Sequence, residues 1–387
     1  MAQRAANEPL PGPPDPWAPS EMPAFRGRAP YVMSEMIAAE PALAERLLHR
    51  LASDPALADL VDAIRTAVAA HQPIMVTGCG TSEHAAMAVA ELLTEGLGLP
   101  SGREVRAVQA LELLPRPPDS GLLIGVSHEG GTAMTNAALH AASRAGVATA
   151  LITVGAGSPG AETARIVITT DEQDQSWCHT VGYLSPILVG IAAGARLADR
   201  KPDVIGIRSL LDGAIDPHTA ATVASALAGC DRIMVAGAGP DHVSARELAL
   251  KIAEGAHLPA SAYQLETLHH GHLAAATRWT GLILIVADAA PIPEVRQRAE
   301  RLLAAAASLS VPAAAILSAE VSRSLDDDLT PAGRVVPPRA GRIPGPAPAL
   351  LGAAISLQLL TERMARARNV NPDTLGREDP AQAAAHA

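Results

Sequence analysis

Aromatic side chains are scarce in this chain: Phe, Trp and Tyr make up 2% of its 387 residues, and Phe occurs once. Hydrophobic residues as a class still make up 48%, which is enough for sizeable cores and argues against a largely disordered chain. We therefore expect cores that are filled mainly by Ala, Leu, Val and Ile.

Cysteine is also rare. The three cysteines, Cys79, Cys178 and Cys230, are odd in number and far apart. They fit neither a disulfide framework nor a CxxC metal site. We expect no metal site and no cofactor.

Positive charge is in deficit, with 30 Lys and Arg against 40 Asp and Glu and a formal net charge of −10. This balance argues against a surface that binds nucleic acid. No uninterrupted apolar run reaches about 18 residues, and no charged segment followed by an apolar one opens the chain. We expect a cytoplasmic globular protein with neither a membrane nor a nucleic-acid partner.

The length predicts two or three domains of about 150 residues each. Residues 1–30 are predicted to be a proline-rich tail, since seven prolines between positions 9 and 23 cannot sustain a helix. Helical spacing follows over 31–72, with a break expected near Pro41. The first α/β domain is predicted at 73–205 and the second at 218–368. A loop is predicted between them, around 201–217, and a C-terminal tail at 369–387.

The two α/β domains begin with similar segments, PIMVTGCGTSEHAAMAVAELL (73–93) and RIMVAGAGPDHVSARELALKIAE (232–254). In each, a short apolar run ends in glycine and a helical pattern follows, which predicts a strand, a tight turn and a helix. Further short apolar runs alternate with helical patterns in both halves. The fold class is therefore α/β, with an internal repeat of two parallel sheets flanked by helices.

Three glycine-containing turns follow predicted strands, at 78–82, 127–132 and 237–240. In open α/β sheets, ligands bind outside the carboxyl ends of the strands, where backbone N–H groups and helix N-termini are free. None of the turns carries a Walker A lysine or a complete GxGxxG followed by a ribose-binding acid. Nucleoside triphosphates and dinucleotides are therefore poor candidates for the ligand.

Several motifs together resemble the double sugar-isomerase (SIS) family, and most closely the isomerase half of glucosamine-6-phosphate synthase. CGTSEHA resembles the family's CGTS turn, and SHEGGTAMT falls where the family has SQSGETADT. ELALKIAEGAH followed by LETLHHGHLAA resembles its ALKLKE…ELKHGP stretch. The resemblance extends from about Tyr31 to Arg377 and implies two tandem SIS domains, each with a flavodoxin-like parallel sheet.

The resemblance also implies a binding site for a sugar phosphate. Hydroxyls of Ser82, Ser127 and Thr132 would hold the phosphate, and Thr81 would line the same pocket. His128 and Glu129 belong to the second turn and are candidate substrate-binding residues with them.

The catalytic roles that the resemblance implies fall on three residues. Glu254 would be the base that moves a proton between C1 and C2 of an open-chain sugar, and Lys251 would support it. His270 would open the sugar ring and, as in the family, would reach the site of a neighbouring subunit. The implied partner is therefore a second copy of the chain in a homodimer. Aldose–ketose interconversion needs such a carboxylate and a second acid–base group.

Two substitutions separate this chain from the family pattern. Glu129 stands where the family has a small hydroxyl, and a carboxylate facing a phosphate would be repulsive unless it is paired or turned away. A protonated His128 could offset part of that charge. Arg377 falls at the place of the family's Schiff-base lysine, and arginine is too basic to act as an imine nucleophile. It could instead bind a carboxylate or a phosphate.

These residues leave three functions open. The leading one is an aldose–ketose isomerase or amino-sugar deaminase acting on a hexose phosphate such as glucosamine 6-phosphate, without a glutaminase domain. A deglycase that splits a sugar phosphate from an amino acid is a close variant, with Arg377 on the amino acid's carboxylate. The alternative from another class is a phosphosugar-binding sensor without catalysis.

Overall fold

The computed structural model describes residues 26–98, 105–170, 172–377 and 379–385. Most of the predicted proline-rich tail therefore lies outside the described residues. Two helices come first, α1 (Val32–Leu51) and α2 (Pro55–Ala69), as the helical spacing predicted. The Asp54 side chain accepts the Ala56 N–H and so caps α2.

The predicted break at Pro41 is wrong, because α1 runs through it without interruption. A proline inside a helix removes one backbone hydrogen bond and costs about 3 kcal/mol. Most of the other residues along one side of α1 are buried, among them Met33, Met36 and Leu47. Their burial offsets the cost, at about 1.5–3 kcal/mol for each large side chain.

The first α/β unit follows the predicted alternation of strands and helices. Its strands are short and largely apolar, and all five residues of the third are buried, as is typical of a strand covered on both faces. The elements are β1 (Ile74–Gly78), α3 (Thr81–Leu97), β2 (Arg106–Gln109), α4 (Ala110–Leu113), β3 (Leu122–Val126), α5 (Ala133–Arg144), β4 (Ala148–Thr153), α6 (Pro159–Thr163), β5 (Ile166–Thr169) and α7 (Val181–Leu197).

The segment between the two units was predicted to be a loop, which is wrong. It contains α8 (Val204–Ala214), and α9 (Pro217–Leu227) follows. The Asp203 side chain accepts the Gly206 N–H and begins α8, and Asp216 caps α9 in the same way. The prolines of this segment flank the helices or begin them, where a missing N–H costs little.

The second unit repeats the order of the first. Its elements are β6 (Arg232–Gly237), α10 (Pro240–Ala256), β7 (Ala260–Gln264), α11 (Leu265–His269), a 3₁₀ turn (His272–Ala275), β8 (Thr280–Val286), α12 (Pro293–Ser308), β9 (Ala313–Leu317), α13 (Ala319–Ser324), a 3₁₀ turn (Asp327–Leu329), β10 (Arg334–Val335), α14 (Ala347–Ala367) and α15 (Pro380–Ala385).

Both sheets are parallel and have five strands. The strand order is β2-β1-β3-β4-β5 in the first and β7-β6-β8-β9-β10 in the second. Numbered within its own unit, each sheet has the order 2-1-3-4-5 of flavodoxin-like folds. The predicted fold class, two parallel sheets flanked by helices, is confirmed.

Helices α3 and α7 lie unusually close together, and glycine permits the approach. A Cβ at Gly96 would overlap the backbone of Gly194, and a Cβ at Gly194 would lie 2.5 Å from the Leu92 carbonyl oxygen. Any larger residue would force the two helices apart. Since α3 begins at one of the predicted ligand-binding turns, this contact helps to fix the position of that turn.

Among the residues that the structure describes, no helix has the length and apolarity needed to cross a bilayer.

Candidate active site

The two predicted ligand-binding turns of the first unit lie side by side. Strands β1 and β3 are hydrogen-bonded neighbours, with Thr77 in register with Gly125. The turns 78–82 and 127–132 therefore leave the same edge of the sheet from adjacent strands. In a sheet of order 2-1-3-4-5, the gap between these two strands is the point where the strand order reverses and where ligands bind.

Glycine is required for the shape of the first turn. A Cβ at Gly78 would lie 2.5 Å from the Ser82 carbonyl oxygen, and Gly80 has a positive φ of 58°. These two residues let the chain turn directly from β1 into α3. As a result, Thr81 and Ser82 lie in the first turn of α3 and are both largely buried.

The second turn leads into α5. The Ser127 hydroxyl donates to the Thr132 hydroxyl oxygen over 3.1 Å. Thr132 immediately precedes α5 and makes no side-chain capping hydrogen bond, so the N-terminus of this 12-residue helix is free to face an anion. Gly130 has a positive φ of 70°, and a Cβ there would overlap Ser158. The turn is thus held tightly against the following strand.

A buried polar cluster lies between α3 and α10. The Lys251 ammonium donates to Glu254 Oε2 over 2.6 Å and to Thr81 Oγ1 over 2.8 Å. It also lies 3.5 Å from Glu247 Oε1, and Thr81 donates to that same oxygen over 3.2 Å. The second oxygen of Glu247 is 2.7 Å from His84 Nδ1. The predicted base and its lysine are therefore joined to the first turn across the two units.

Burial determines the charges in this cluster. Lys251 and Glu247 are fully buried, and the Glu254 side chain is 24% exposed. Burial raises the pKa of Glu254 above its ordinary value, while the nearby Lys251 ammonium opposes the rise. Burial alone would raise the pKa of Glu247, but Lys251 and His84 outweigh it and hold that pKa low. Glu254 is thus the carboxylate of the cluster that binds a proton more readily.

Glu129, the unexpected carboxylate of the second turn, is paired. Its Oε1 accepts a hydrogen bond from the Gln173 side chain over 3.0 Å. Partial burial raises the pKa of Glu129, while Gln173 and Arg377 act in the opposite direction. The Arg377 guanidinium lies over the Trp177 ring, 3.9 Å from its centre. The C-terminal segment is anchored there, because the backbone carbonyl of Asp373 accepts a hydrogen bond from the backbone N–H of Trp177.

His128 is not placed to offset the charge of Glu129. It is buried, and burial lowers its pKa to about 4. Its Nε2 accepts the Asp174 N–H over 2.8 Å, and its ring lies 5.0 Å from that of His179. The ring is therefore neutral at pH 7 and faces the loop between β5 and α7, which corrects the suggestion of a protonated His128.

His270 is paired with Glu266 and makes none of the hydrogen bonds described for the Glu254 cluster. Its side chain is 72% exposed, and its Nε2 is 2.9 Å from Glu266 Oε1. The other histidines of HHGH point elsewhere: His269 contacts the Arg298 carbonyl, and His272 packs on Tyr263. Within the described ranges, no three His, Cys, Asp or Glu side chains gather as metal ligands would.

The corresponding turn of the second unit differs in its side chains. Gly237 and Gly239 repeat the backbone of the first turn, with a φ of 56° at Gly239. Pro240 and Asp241, however, stand where the first unit has Thr81 and Ser82. The buried Asp241 carboxyl group accepts the Ala287 N–H over 3.0 Å and occupies this turn, and burial raises its pKa to about 7.

The sequence interpretation missed Glu247 and His84. Glu247 lies four positions before Lys251 and seven before Glu254, which places all three on one face of α10. That spacing could have identified Glu247. His84 lies one turn after Thr81 on α3, and no pattern in the sequence predicts that α3 and α10 pack together.

A protein-family model for the SIS domain matches residues 69–195, which hold the first sheet and most of its helices. Glutamine–fructose-6-phosphate aminotransferase (isomerizing) from Pseudomonas putida is 27% identical over 280 residues, which cover 65% of this chain and 44% of that protein. The chain is homologous to its isomerase part and spans less than half of its length.

Solved structures with SIS-like folds resemble the chain over most of its length. The C-terminal domain of glucosamine-fructose-6-phosphate aminotransferase from Francisella tularensis has a TM-score of 0.75 at 19% identity, covering 90% of this chain and 99% of that one. Tagatose-6-phosphate ketose/aldose isomerase from Escherichia coli has a TM-score of 0.70 at 17% identity, covering 92% and 98%. At these identities the likeness supports the fold.

Proposed function

We propose that this SIS-domain protein is a cytoplasmic sugar isomerase that interconverts an aldose and a ketose, with an amino-sugar phosphate as the preferred substrate class. The observation that carries the proposal is the Lys251–Glu254 pair, held against Thr81 at the switch point of the first sheet. The name of the curated relative, an isomerizing aminotransferase of fructose 6-phosphate, agrees with this substrate class. We also propose that this protein's two α/β domains span 73–205 and 218–368.

Glu254 acts as the base in this reaction. In the open-chain sugar it takes a proton from the carbon next to the carbonyl, which forms an enediol or an enolamine. It then returns the proton to the former carbonyl carbon, while the hydroxyl or amino group on the other carbon gives up a proton and the former carbonyl oxygen gains one, so that the product is an isomer of the substrate. With an amino group at C2 this isomer is an imine, which water converts to the ketose and ammonia. A raised pKa suits a carboxylate that must both take and return a proton near neutral pH. Lys251 holds the carboxylate in place between the two transfers.

The phosphate of the substrate binds between the two turns. Hydroxyls of Ser82, Ser127 and Thr132 and the N-terminus of α5 provide neutral donors for it. Glu129 does not exclude this ligand, because Gln173 and the nearby Arg377 draw its carboxylate to one side.

Arg377 binds the substrate electrostatically and forms no imine. It keeps its charge, stacks on Trp177 and offers a fork of N–H donors to a carboxylate or phosphate oxygen. This position gives the deglycase variant a specific basis, because a sugar phosphate joined to an amino acid carries a carboxylate of its own.

Ring opening is assigned to His270 of a second copy in a homodimer, since the His270 side chain is exposed and paired with Glu266 in its own chain. Mixing two inactive variants, Glu254→Gln and His270→Asn, tests this assignment. If the histidine crosses between subunits, each mixed dimer has one intact site and the mixture recovers about a quarter of wild-type activity. If His270 acts within its own subunit, every site is defective and no activity returns.

The function itself is tested with glucosamine 6-phosphate in D₂O, followed by NMR of the sugar protons. Incorporation of deuterium at C1 or C2 would support proton-transfer catalysis. The control is Glu254→Gln, in which this incorporation should be lost. Fructose 6-phosphate with released ammonia would identify the reaction as deamination. Line broadening without exchange would favour the sensor, a role that the replacement of the family lysine by Arg377 also fits.

A further inference from the structure

The Glu254 cluster continues beyond the active site to a surface groove on the other side of α3. From Glu254, hydrogen bonds lead through Lys251 and Thr81 to Glu247, and from Glu247 to His84. His84 lines a shallow, open groove between α3, α10 and β7. The candidate base is therefore connected to a residue that the proposed chemistry does not use.

Two carboxylates share one lysine in this cluster, and the sharing is unequal. The Lys251 ammonium is 2.6 Å from Glu254 Oε2 and 3.5 Å from Glu247 Oε1. The other oxygen of Glu247 is held 2.7 Å from His84 Nδ1. Because His84 and Thr81 both engage Glu247, this carboxylate is kept away from the ammonium, and Lys251 remains available to Glu254.

We propose that His84 is a positioning residue, which acts through Glu247 and Lys251 to set how strongly Glu254 holds a proton. The inference rests on the proposed role of Glu254 as the base. Without His84, both oxygens of Glu247 can turn to Lys251 and draw the ammonium away from Glu254. The Glu254 carboxylate then loses part of its counter-charge and binds a proton more tightly.

The other groups that face Glu254 do not supply this control. Cys178, in the loop before α7, lies against Lys251, but burial raises the pKa of its thiol well above the usual range. His179 in the same loop is also buried, and burial lowers its pKa well below the ordinary value. Both stay neutral at pH 7. Asp174, also in this loop, interacts electrostatically with Lys251, and burial raises its pKa to about 7. The groups that act directly on Glu254 are Lys251, Glu247 and His84.

The test follows the titration of Glu254 directly and through activity. In protein labelled with ¹³C at glutamate carboxyl groups, the Glu254 signal is assigned by its loss in Glu254→Gln. His84→Gln should raise the titration midpoint by about 0.5–1 pH unit, because it weakens the hold of His84 on Glu247. Glu247→Gln should lower the midpoint, because it removes a carboxylate near Glu254. The acid limb of kcat/KM should move in the same directions.

Two further variants sharpen the result. His84→Lys places a cation near Glu247 and should return the midpoint toward wild type. His242→Gln changes another histidine of the same groove and should leave the midpoint unchanged. Unmoved midpoints in both His84→Gln and Glu247→Gln would overturn the proposal, even if activity fell. If the wild type lacked isomerase activity, the proposed function would fail, while the NMR titration would still decide the role of His84.

Discussion

Replacing Lys251 by methionine would leave two buried carboxylates without their shared cation. Lys251 is fully buried, and its ammonium contacts Glu254, Thr81 and Glu247 at 2.6, 2.8 and 3.5 Å. Removing one partner of a buried ion pair costs about 3–5 kcal/mol, because the remaining charge is left unpaired. We expect Lys251→Met to lose that much free energy of unfolding at pH 7, as measured by urea denaturation.

A second substitution separates charge from packing. Glu247→Gln in the Lys251→Met background removes one of the unpaired carboxylates, and should recover about 1.5 kcal/mol or more of the loss. A double variant whose loss equals the sum of the single losses would mean that the two residues do not interact.

The loss should also depend on pH. In the wild type the pKa of Glu247 is held low, so its stabilising contribution is present above its unfolded value and is lost as pH falls through the folded one. In Lys251→Met the same carboxylate keeps His84 and Thr81 but loses the ammonium, and protonation relieves its buried charge. The difference between variant and wild type should therefore be smaller at pH 4 than at pH 7. A loss below about 1 kcal/mol at pH 7 would refute this reasoning.

Three other substitutions test separate parts of the structure. The wild type should lose up to about 3 kcal/mol of unfolding free energy between pH 6.5 and about 4. The reason is that the pKa of folded His128 is lowered to about 4, so the folded protein excludes a proton that the unfolded chain accepts. His128→Gln should flatten this part of the stability curve measured by urea denaturation, and an unchanged slope would exclude His128 as its source. Gly96→Ala should cost about 1–3 kcal/mol by forcing α3 away from Gly194. Gly229→Ala, whose Cβ meets no atom within 4 Å, is its control, and equal losses in a thermal melt would count against the close helix contact. Glu129→Ser should tighten glucosamine 6-phosphate binding about tenfold in calorimetry by removing a negative charge beside the turn, whereas weaker binding would indicate that this carboxylate contacts the ligand.

Local patterns predicted most of the fold. The strands before the turns at 78 and 237 were predicted from short apolar runs that end in glycine. The short strands β2, β7 and β10 were missed, because edge strands such as Ala260–Gln264 are half exposed and lack a continuous apolar run.

The turns of the site were predictable because their side chains follow one another along the chain. The Glu254–Lys251 pair was predicted from the resemblance to the family motif, and both residues lie on α10. The contact of Lys251 with Thr81 and the link from Glu247 to His84 join residues more than 160 positions apart. Such contacts depend on how α3 packs against α10, which periodicity within either helix does not specify.

In the proposed site, the two halves of the molecule supply different residues. The first contributes the turn with Thr81 and Ser82, and the second contributes the face of α10 with Lys251 and Glu254. The equivalent turn beside Pro240 lacks the hydroxyls, and Asp241 already fills it. Neither half could therefore inherit the proposed chemistry alone, since a fragment with the turn would lack the base and a fragment with the base would lack the turn. Under the proposed function, the docking of the halves is therefore a condition for catalysis as well as for stability.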